Sequence, residues 1–332
     1  MSQTPSTWKD DVLHCFATWD QRHVVTSPDV DGLLSAALVC QQFDAKVIGI
    51  YTTRHLVLFD HATHADAKDA LWLDHDISHP GVICLGQHLI QRREDDQVVT
   101  RHRPTFNPNL HWGQSWDKSF KGRSGRGVDK YPFGTIHFLM AALEVDQFPV
   151  ESAPRSLIAH ADGSWVTPFD YPKNCAWWYK AMFASNDALI GDLVRLTYTT
   201  PATLNVHRHV VNDLLRKGVK RSRSRTGKGN TLPEGWDSIQ GNQSISYGLN
   251  QDETTWLDKF VDVYSYIMEL TGWTSPTPQT VRSITTGEYQ RMYPNNVNNL
   301  DEWIVRERVF SHAFTAQSQL VYTTGLSLDE PS

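Results

Sequence analysis

Short apolar runs that alternate with helical stretches are the feature that most constrains the fold of this chain. Five such runs occur near the amino terminus, at residues 24–26, 45–51, 56–59, 69–73 and 82–85. Strands that alternate with helices at short spacing indicate a sheet whose strands are mainly parallel. The sequence therefore predicts an α/β domain, with a mainly parallel sheet flanked by helices, in the first half of the chain.

Polar side chains follow several of these runs at the point where each run ends. Asp29 and Asp31 come after the first run, Asp74 after the fourth and His88 after the fifth, and Asp162 ends a later apolar segment. The carboxyl ends of parallel strands lie at one edge of the sheet, where ligands bind. We therefore expect these side chains to lie close together.

Asp29 and Asp31 are separated by a single residue, and like charges held close together repel one another. A divalent cation such as Mg²⁺ or Mn²⁺ offsets that repulsion, because hard cations prefer carboxylate oxygens. The alternative is a turn in which Asp31 caps the following helix, which is predicted over 33–43. Both interpretations stay open on the sequence.

The other acidic and histidine positions also have alternatives. Asp74 is either a metal ligand or part of a turn in which His75 and Asp76 face solvent. His88 is either a ligand or a hydrogen-bonded histidine of the core. Asp162 is either a ligand or an ordinary loop residue.

Composition sets the limits on class and location. The chain has 332 residues and a net charge of −6, and its four cysteines form no CxxC pair. This length favours two domains, predicted as 1–175 and a mostly helical or mixed 176–332. The sequence shows neither a secretory signal nor an apolar run of membrane-spanning length. We expect reduced cysteines, no membrane contact and a cytoplasmic location.

A basic, low-complexity stretch at 216–230 lies inside the predicted second domain. A run of like charges without an apolar face is typical of an exposed loop. The alternative is contact with the phosphates of a nucleic acid. The second domain is thereby a candidate for binding substrate or a partner.

Six short motifs occur in a fixed order over residues 20–170. They are Asp29-Val30-Asp31-Gly32, Leu71-Trp72-Leu73-Asp74, Val82-Ile83-Cys84-Leu85-Gly86-Gln87-His88, Phe106-Asn107-Pro108-Asn109, Gly134-Thr135-Ile136-His137-Phe138-Leu139 and Leu157-Ile158-Ala159-His160-Ala161-Asp162-Gly163. This ordered set resembles the DHH phosphoesterase superfamily, which includes RecJ exonucleases, nanoRNases and cyclic-dinucleotide phosphodiesterases. The resemblance implies a DHH-like fold for the first domain.

The resemblance also implies two metal sites. One would use Asp29, Asp74 and a histidine whose place Val25 takes here. The other would use Asp31, Asp74, His88 and Asp162, all of which are present. The family's Asp-His-His signature is reduced to Gly86-Gln87-His88, and Ser27 replaces an aspartate of the RecJ branch. We therefore expect one firm Mn²⁺ or Mg²⁺ site and a second that is weak or absent.

The implied function is a metal-dependent phosphodiesterase that hydrolyses single-stranded nucleic acid or short or cyclic oligonucleotides through a metal-activated water. Catalysis would rest on Asp29, Asp31, Asp74, His88 and Asp162. The alternative is a catalytically eroded protein of the same fold that binds nucleic acid or acts as a scaffold, and a homodimer or a protein partner stays open. Candidate substrate contacts are Arg92, Arg93, Arg101, Arg103, Asn107 and Asn109.

Overall fold

In the computed structural model of the chain, the described residues are 7–90, 104–113, 130–145, 152–164, 172–183, 201–217, 219–221, 243–245, 253–293, 299–316 and 319–329. They form two compact units. The first unit contains Met1–Thr26, Ile48–Tyr131 and Arg282–Ser332, and the second contains Ser27–Val47 and Pro132–Val281. The predicted division at residue 175 stays a prediction.

A seven-stranded sheet forms the centre of the first unit. Its strands are β1 (His23–Thr26), β2 (Lys46–Tyr51), β3 (His55–Phe59), β4 (Leu71–Leu73), β5 (Ile83–Leu85), β6 (Thr105–Phe106) and β9 (Val281–Thr286), in the order β6-β5-β4-β1-β2-β3-β9. Strands β6, β5, β4 and β1 run parallel to one another, whereas β2 and β3 pair antiparallel. The predicted α/β class with a mostly parallel sheet is thus confirmed, whereas a DHH-like fold stays a prediction.

Helix α1 (Trp8–Ala17) precedes the sheet and packs against β5 and β6. Thr7 and Asp10 form a capping box, in which each side chain accepts from the other residue's backbone N–H. Reciprocal capping satisfies donors that the first helical turn leaves free. Trp8, Val12 and Phe16 are buried at helical spacing.

The core of the first unit contains aromatic side chains around β4. Trp72 packs edge-on against Tyr51 and Phe310, with ring centroids 5.7 and 5.6 Å away. Phe310 precedes a second, antiparallel sheet of β10 (Glu288–Met292), β12 (Gln319–Thr324) and β11 (Ser311–Ala316). This core supports the segment that follows β4, because Ser78 N–H donates to the Phe310 carbonyl at 2.7 Å.

The first unit also contains three short helices. They are α3 (His64–Asp69) between β3 and β4, α4 (Pro108–His111) after β6, and α10 (Leu300–Arg306). Trp303 of α10 packs edge-on against Tyr322 of β12, with ring centroids 4.7 Å apart.

The second unit is mainly helical. Its elements are α2 (Val30–Phe43), α5 (Thr135–Ala142), α6 (Ser152–His160), the 3₁₀ turn Ala161–Gly163, α7 (Pro172–Met182), α8 (Pro201–Arg216), β7 (Val219–Arg221), β8 (Gln243–Ile245) and α9 (Glu253–Thr271). Helix α2 contacts α5, α6 and α9. Helix α9 carries Trp256, Phe260 and Tyr264 at helical spacing, and all three side chains are buried.

The basic stretch at 216–230 is described only at its start. Arg216 ends α8, and β7 pairs antiparallel with β8. Residues 222–230 lie outside the described part of the chain.

All four cysteines are buried, and none of them forms a disulfide. None of the helices in the described ranges is long and apolar enough to cross a membrane.

Candidate metal centre

Asp74 follows directly after β4 and is buried, with 1 % of its surface exposed. Its backbone N–H donates to the Leu85 carbonyl of β5 at 2.8 Å, which extends the β4–β5 pairing by one residue. Its φ angle is 58°, in the left-handed region that aspartate adopts more readily than most residues. The strand end and this turn together fix where the carboxylate lies.

His88 lies three residues after β5, and its side chain contacts the Asp74 carboxylate. Its Nε2 is 3.2 Å from Asp74 Oδ1, and its side chain is 33 % exposed. Two ligands at right angles on an ion, each about 2.1 Å from it, are about 3.0 Å apart. The separation of this nitrogen and this oxygen therefore suits adjacent ligands of one ion.

Asp162 is the third member of the group. It lies in the 3₁₀ turn after α6 and has a φ of 52°, the same left-handed conformation as Asp74. Asp74, His88 and Asp162 each offer one ligand atom, and these atoms all lie within 4.8 Å of one another. The three side chains can hold a metal ion, whose identity this donor set leaves open.

Asp29 caps helix α2, which begins at Val30, three residues earlier than predicted. Its Oδ1 accepts from the Gly32 N–H at 2.9 Å and from the Ser27 hydroxyl at 2.7 Å. The capping residue is therefore Asp29, and the alternative that assigned the cap to Asp31 is wrong, because Asp31 already lies within the first turn.

Asp31 is fully buried and binds a different helix start. Its Oδ2 accepts from the Thr135 N–H at 2.7 Å and its Oδ1 from the Ile136 N–H at 2.9 Å. These donors belong to the first turn of α5, where a negative charge is stabilised by the helix dipole. Gly134 permits this approach, because a Cβ there would lie 2.6 Å from Asp31 Oδ1. Metal binding by Asp29 and Asp31 stays a prediction.

His75 and Asp76 are both buried, each 6 % exposed. The alternative that exposed them to solvent is therefore wrong. Burial lowers the pKa of His75 to about 4, against the opposing influence of Asp74, so the ring is neutral at pH 7. The ring packs edge-on against Tyr51 and Trp72.

Gly86 stands where the resemblance expects an aspartate, and its surroundings account for the glycine. A Cβ at this position would lie 2.5 Å from the His75 carbonyl oxygen and 2.8 Å from Asp76 Oδ2. Backbone atoms cannot yield by that amount without a shift of the chain. Residue 86 is thus restricted to glycine by the close approach of the segment after β4.

The two asparagines predicted to bind substrate are buried, with Asn107 4 % and Asn109 0 % exposed. Asn107 donates to Asp76 Oδ1, and Asn109 donates to the Gln87 carbonyl. Both side chains thus form hydrogen bonds with the residues around His88. The four arginines of the predicted substrate contacts, Arg92, Arg93, Arg101 and Arg103, lie outside the described residues.

Asp76 is the residue that sequence reasoning missed. The sequence pattern gives Asp76 only as a neighbour of Asp74, whereas in the structure its carboxylate accepts hydrogen bonds from the His88 N–H and from Asn107. The available signal was a second carboxylate two positions after a strand-ending aspartate, the same spacing as in Asp29 and Asp31.

Comparisons with protein-family models, with curated proteins and with solved structures returned no match. The site therefore rests on its own geometry.

Proposed function

We propose that this chain is a Mn²⁺- or Mg²⁺-dependent phosphodiesterase of DHH type, acting on single-stranded nucleic acid or on short or cyclic oligonucleotides. The observation that carries the proposal is the group of Asp74, His88 and Asp162. Two carboxylates and one imidazole are a donor set that Mn²⁺ accepts, and Mg²⁺ binds through one or two carboxylates together with substrate phosphates.

Asp74 and His88 would have different roles, because their environments differ. Asp74 is buried and held by the β4–β5 pairing, so its carboxylate provides a fixed anchor. The His88 side chain is 33 % exposed, so this part of the group is in contact with solvent, from which an ion would arrive. A divalent ion bound there would lower the pKa of a water molecule that it coordinates and would polarise phosphoryl oxygens.

The experiment first counts Mn²⁺ ions per chain by native mass spectrometry. It then follows hydrolysis of 5′-labelled single strands, dinucleotides and cyclic dinucleotides with Mn²⁺. We expect at least one bound ion, and we expect Asp74→Asn and Asp162→Asn to abolish both binding and hydrolysis. Asparagine also tolerates positive φ, so these variants keep the turn conformation.

Asp60→Asn is the matched control. Asp60 follows strand β3 with a φ of 53°, which is the backbone setting of Asp74 at another strand end. We expect this variant to bind Mn²⁺ and to hydrolyse substrate like the unchanged protein. Intact substrates across the whole panel, with an ion bound, would reject the enzymatic proposal.

A second candidate is a non-catalytic protein that uses the same fold to bind nucleic acid. It is favoured by the hydrogen bonds of Asp29 and Asp31, whose carboxylates already accept from backbone N–H groups at two helix starts. Binding of a labelled single strand without Mn²⁺, together with no turnover in its presence, would support it. A homodimer, a protein partner and a cytoplasmic location remain predictions.

A further inference from the structure

A buried carboxylate holds the backbone on which His88 is carried. Asp76 Oδ2 accepts from the His88 N–H at 2.8 Å and from the Leu89 N–H at 3.1 Å. These residues follow β5 in a segment without regular secondary structure, so no strand ladder pairs their N–H groups. Buried N–H groups need a partner, and Asp76 provides it for two consecutive residues.

Two asparagines complete the support of this carboxylate. Asn107 Nδ2 donates to Asp76 Oδ1 at 2.9 Å, and Asn107 Oδ1 accepts from the Asn109 N–H at 2.8 Å. Asn109 Nδ2 donates to the Gln87 carbonyl at 2.7 Å, and its Oδ1 accepts from the Tyr131 N–H at the same distance. Each of the two side-chain amides thus donates one hydrogen bond and accepts one.

We propose that Asp76 and Asn107 are positioning residues, which fix the His88 backbone so that the imidazole Nε2 stays beside the Asp74 carboxylate. Asp76 binds the backbone of His88, while the 3.2 Å contact with Asp74 is made by the side chain. A metal site binds its ion less tightly when the residue that carries a ligand is free to move. Hydrogen-bond partners that hold metal ligands in place typically contribute 10- to 100-fold to metal affinity. The metal part of this inference rests on the proposed function, whereas the positioning of His88 does not.

The polarity of the Asp76–Asn107 pair permits a reciprocal exchange. In Asp76→Asn, an amide oriented to accept from the two backbone N–H groups would point its own NH₂ at the NH₂ of Asn107. In Asn107→Asp, two carboxylates would face each other. In the double variant D76N/N107D, the new amide donates to the new carboxylate, which still accepts from the Asn109 N–H. The exchange therefore restores every hydrogen bond that either single variant loses.

The first measurement is hydrogen exchange of the His88 and Leu89 amides in metal-free protein. We expect exchange at both sites to be accelerated at least tenfold in each single variant and to return to within about threefold of the unchanged rate in the double variant. Asn109 amide exchange in D76N reports whether the disturbance is confined to the His88 side. Unchanged exchange in D76N would overturn the positioning role, even if the protein bound no metal.

The second measurement is Mn²⁺ affinity by electron paramagnetic resonance. We expect a loss of about tenfold or more in each single variant and recovery in the double variant. Single variants that bind Mn²⁺ as well as the unchanged protein would overturn the inference. If the unchanged chain bound no Mn²⁺, the proposed function would fail, and the exchange data would still decide the positioning role.

Asn107→Ser is the milder variant for the case in which the single exchanges do not fold. It removes one of the three donors to Asp76 and leaves both backbone N–H groups in place. We expect a few-fold loss of Mn²⁺ affinity with faster His88 amide exchange. Equal affinity and equal exchange rates in this variant would contradict the inference.

Discussion

Asp31→Ala is the substitution that separates a helix-capping role from a metal-binding role. The Asp31 carboxylate accepts from two backbone N–H groups at the start of α5 and is fully buried. A hydrogen bond to a charged group contributes about 1.5–3 kcal/mol. Because alanine removes both bonds and leaves two buried donors unpaired, we expect the free energy of unfolding to fall by about 3–5 kcal/mol.

The assay is guanidinium denaturation in EDTA, which removes any contribution of bound metal. Asp31→Asn retains one acceptor but turns an NH₂ group toward the other N–H, so about half of the loss is expected. Asp29→Asn is the matched control. Asparagine caps helices as well as aspartate does, and its Oδ1 can accept from the Gly32 N–H, so a change below about 0.5 kcal/mol is expected.

The opposite result would arise if Asp31 were mainly a metal ligand. In metal-free protein a ligand carboxylate is repelled by its neighbours, and its removal relieves that repulsion. An Asp31→Ala variant that is as stable as the unchanged protein in EDTA, or more stable, would refute the assignment of its carboxylate to the α5 helix start.

Two further predictions concern positions with little room or little tolerance for charge. Gly86→Ala should destabilise the protein by about 1–3 kcal/mol in thermal denaturation, because the new Cβ would meet the His75 backbone. Gly81→Ala is the control and should be nearly neutral, because a Cβ there meets only side-chain atoms at 3.2 Å or more. Burial lowers the pKa of His137 to about 4, and its Nδ1 accepts from the Gly134 N–H. The unfolded chain therefore binds a proton at this histidine at a higher pH than the folded protein does. The free energy of unfolding should fall as the pH drops from 6.5 toward 4, and the contribution of His137 to this loss is about 2 kcal/mol at pH 5. His137→Gln keeps an acceptor at this helix start and should lose the share of the acid sensitivity that His137 contributes, while the share of His75 remains. A denaturation profile equal to that of the unchanged protein between pH 7 and 5 would contradict this prediction.

Local sequence patterns determined the elements of this protein. The burial of Trp256, Phe260 and Tyr264 follows from their helical spacing, and the strand that ends before Asp74 follows from a short apolar run. Such patterns are set by interactions between residues a few positions apart, so the sequence by itself predicts them. The α/β class follows from the alternation of these elements.

Pairing direction and the roles of individual carboxylates were decided only by the tertiary structure. Strand β3 pairs antiparallel to β2, which an apolar run cannot specify. Asp31 binds the Ile136 N–H, 105 positions away, and Asp76 binds Asn107, 31 positions away. Aspartates look alike in a sequence, and each one's role depends on which donors, ligands or charges folding places beside it. Those neighbours come from distant parts of the chain, so the tertiary structure distinguishes a helix cap from a metal ligand.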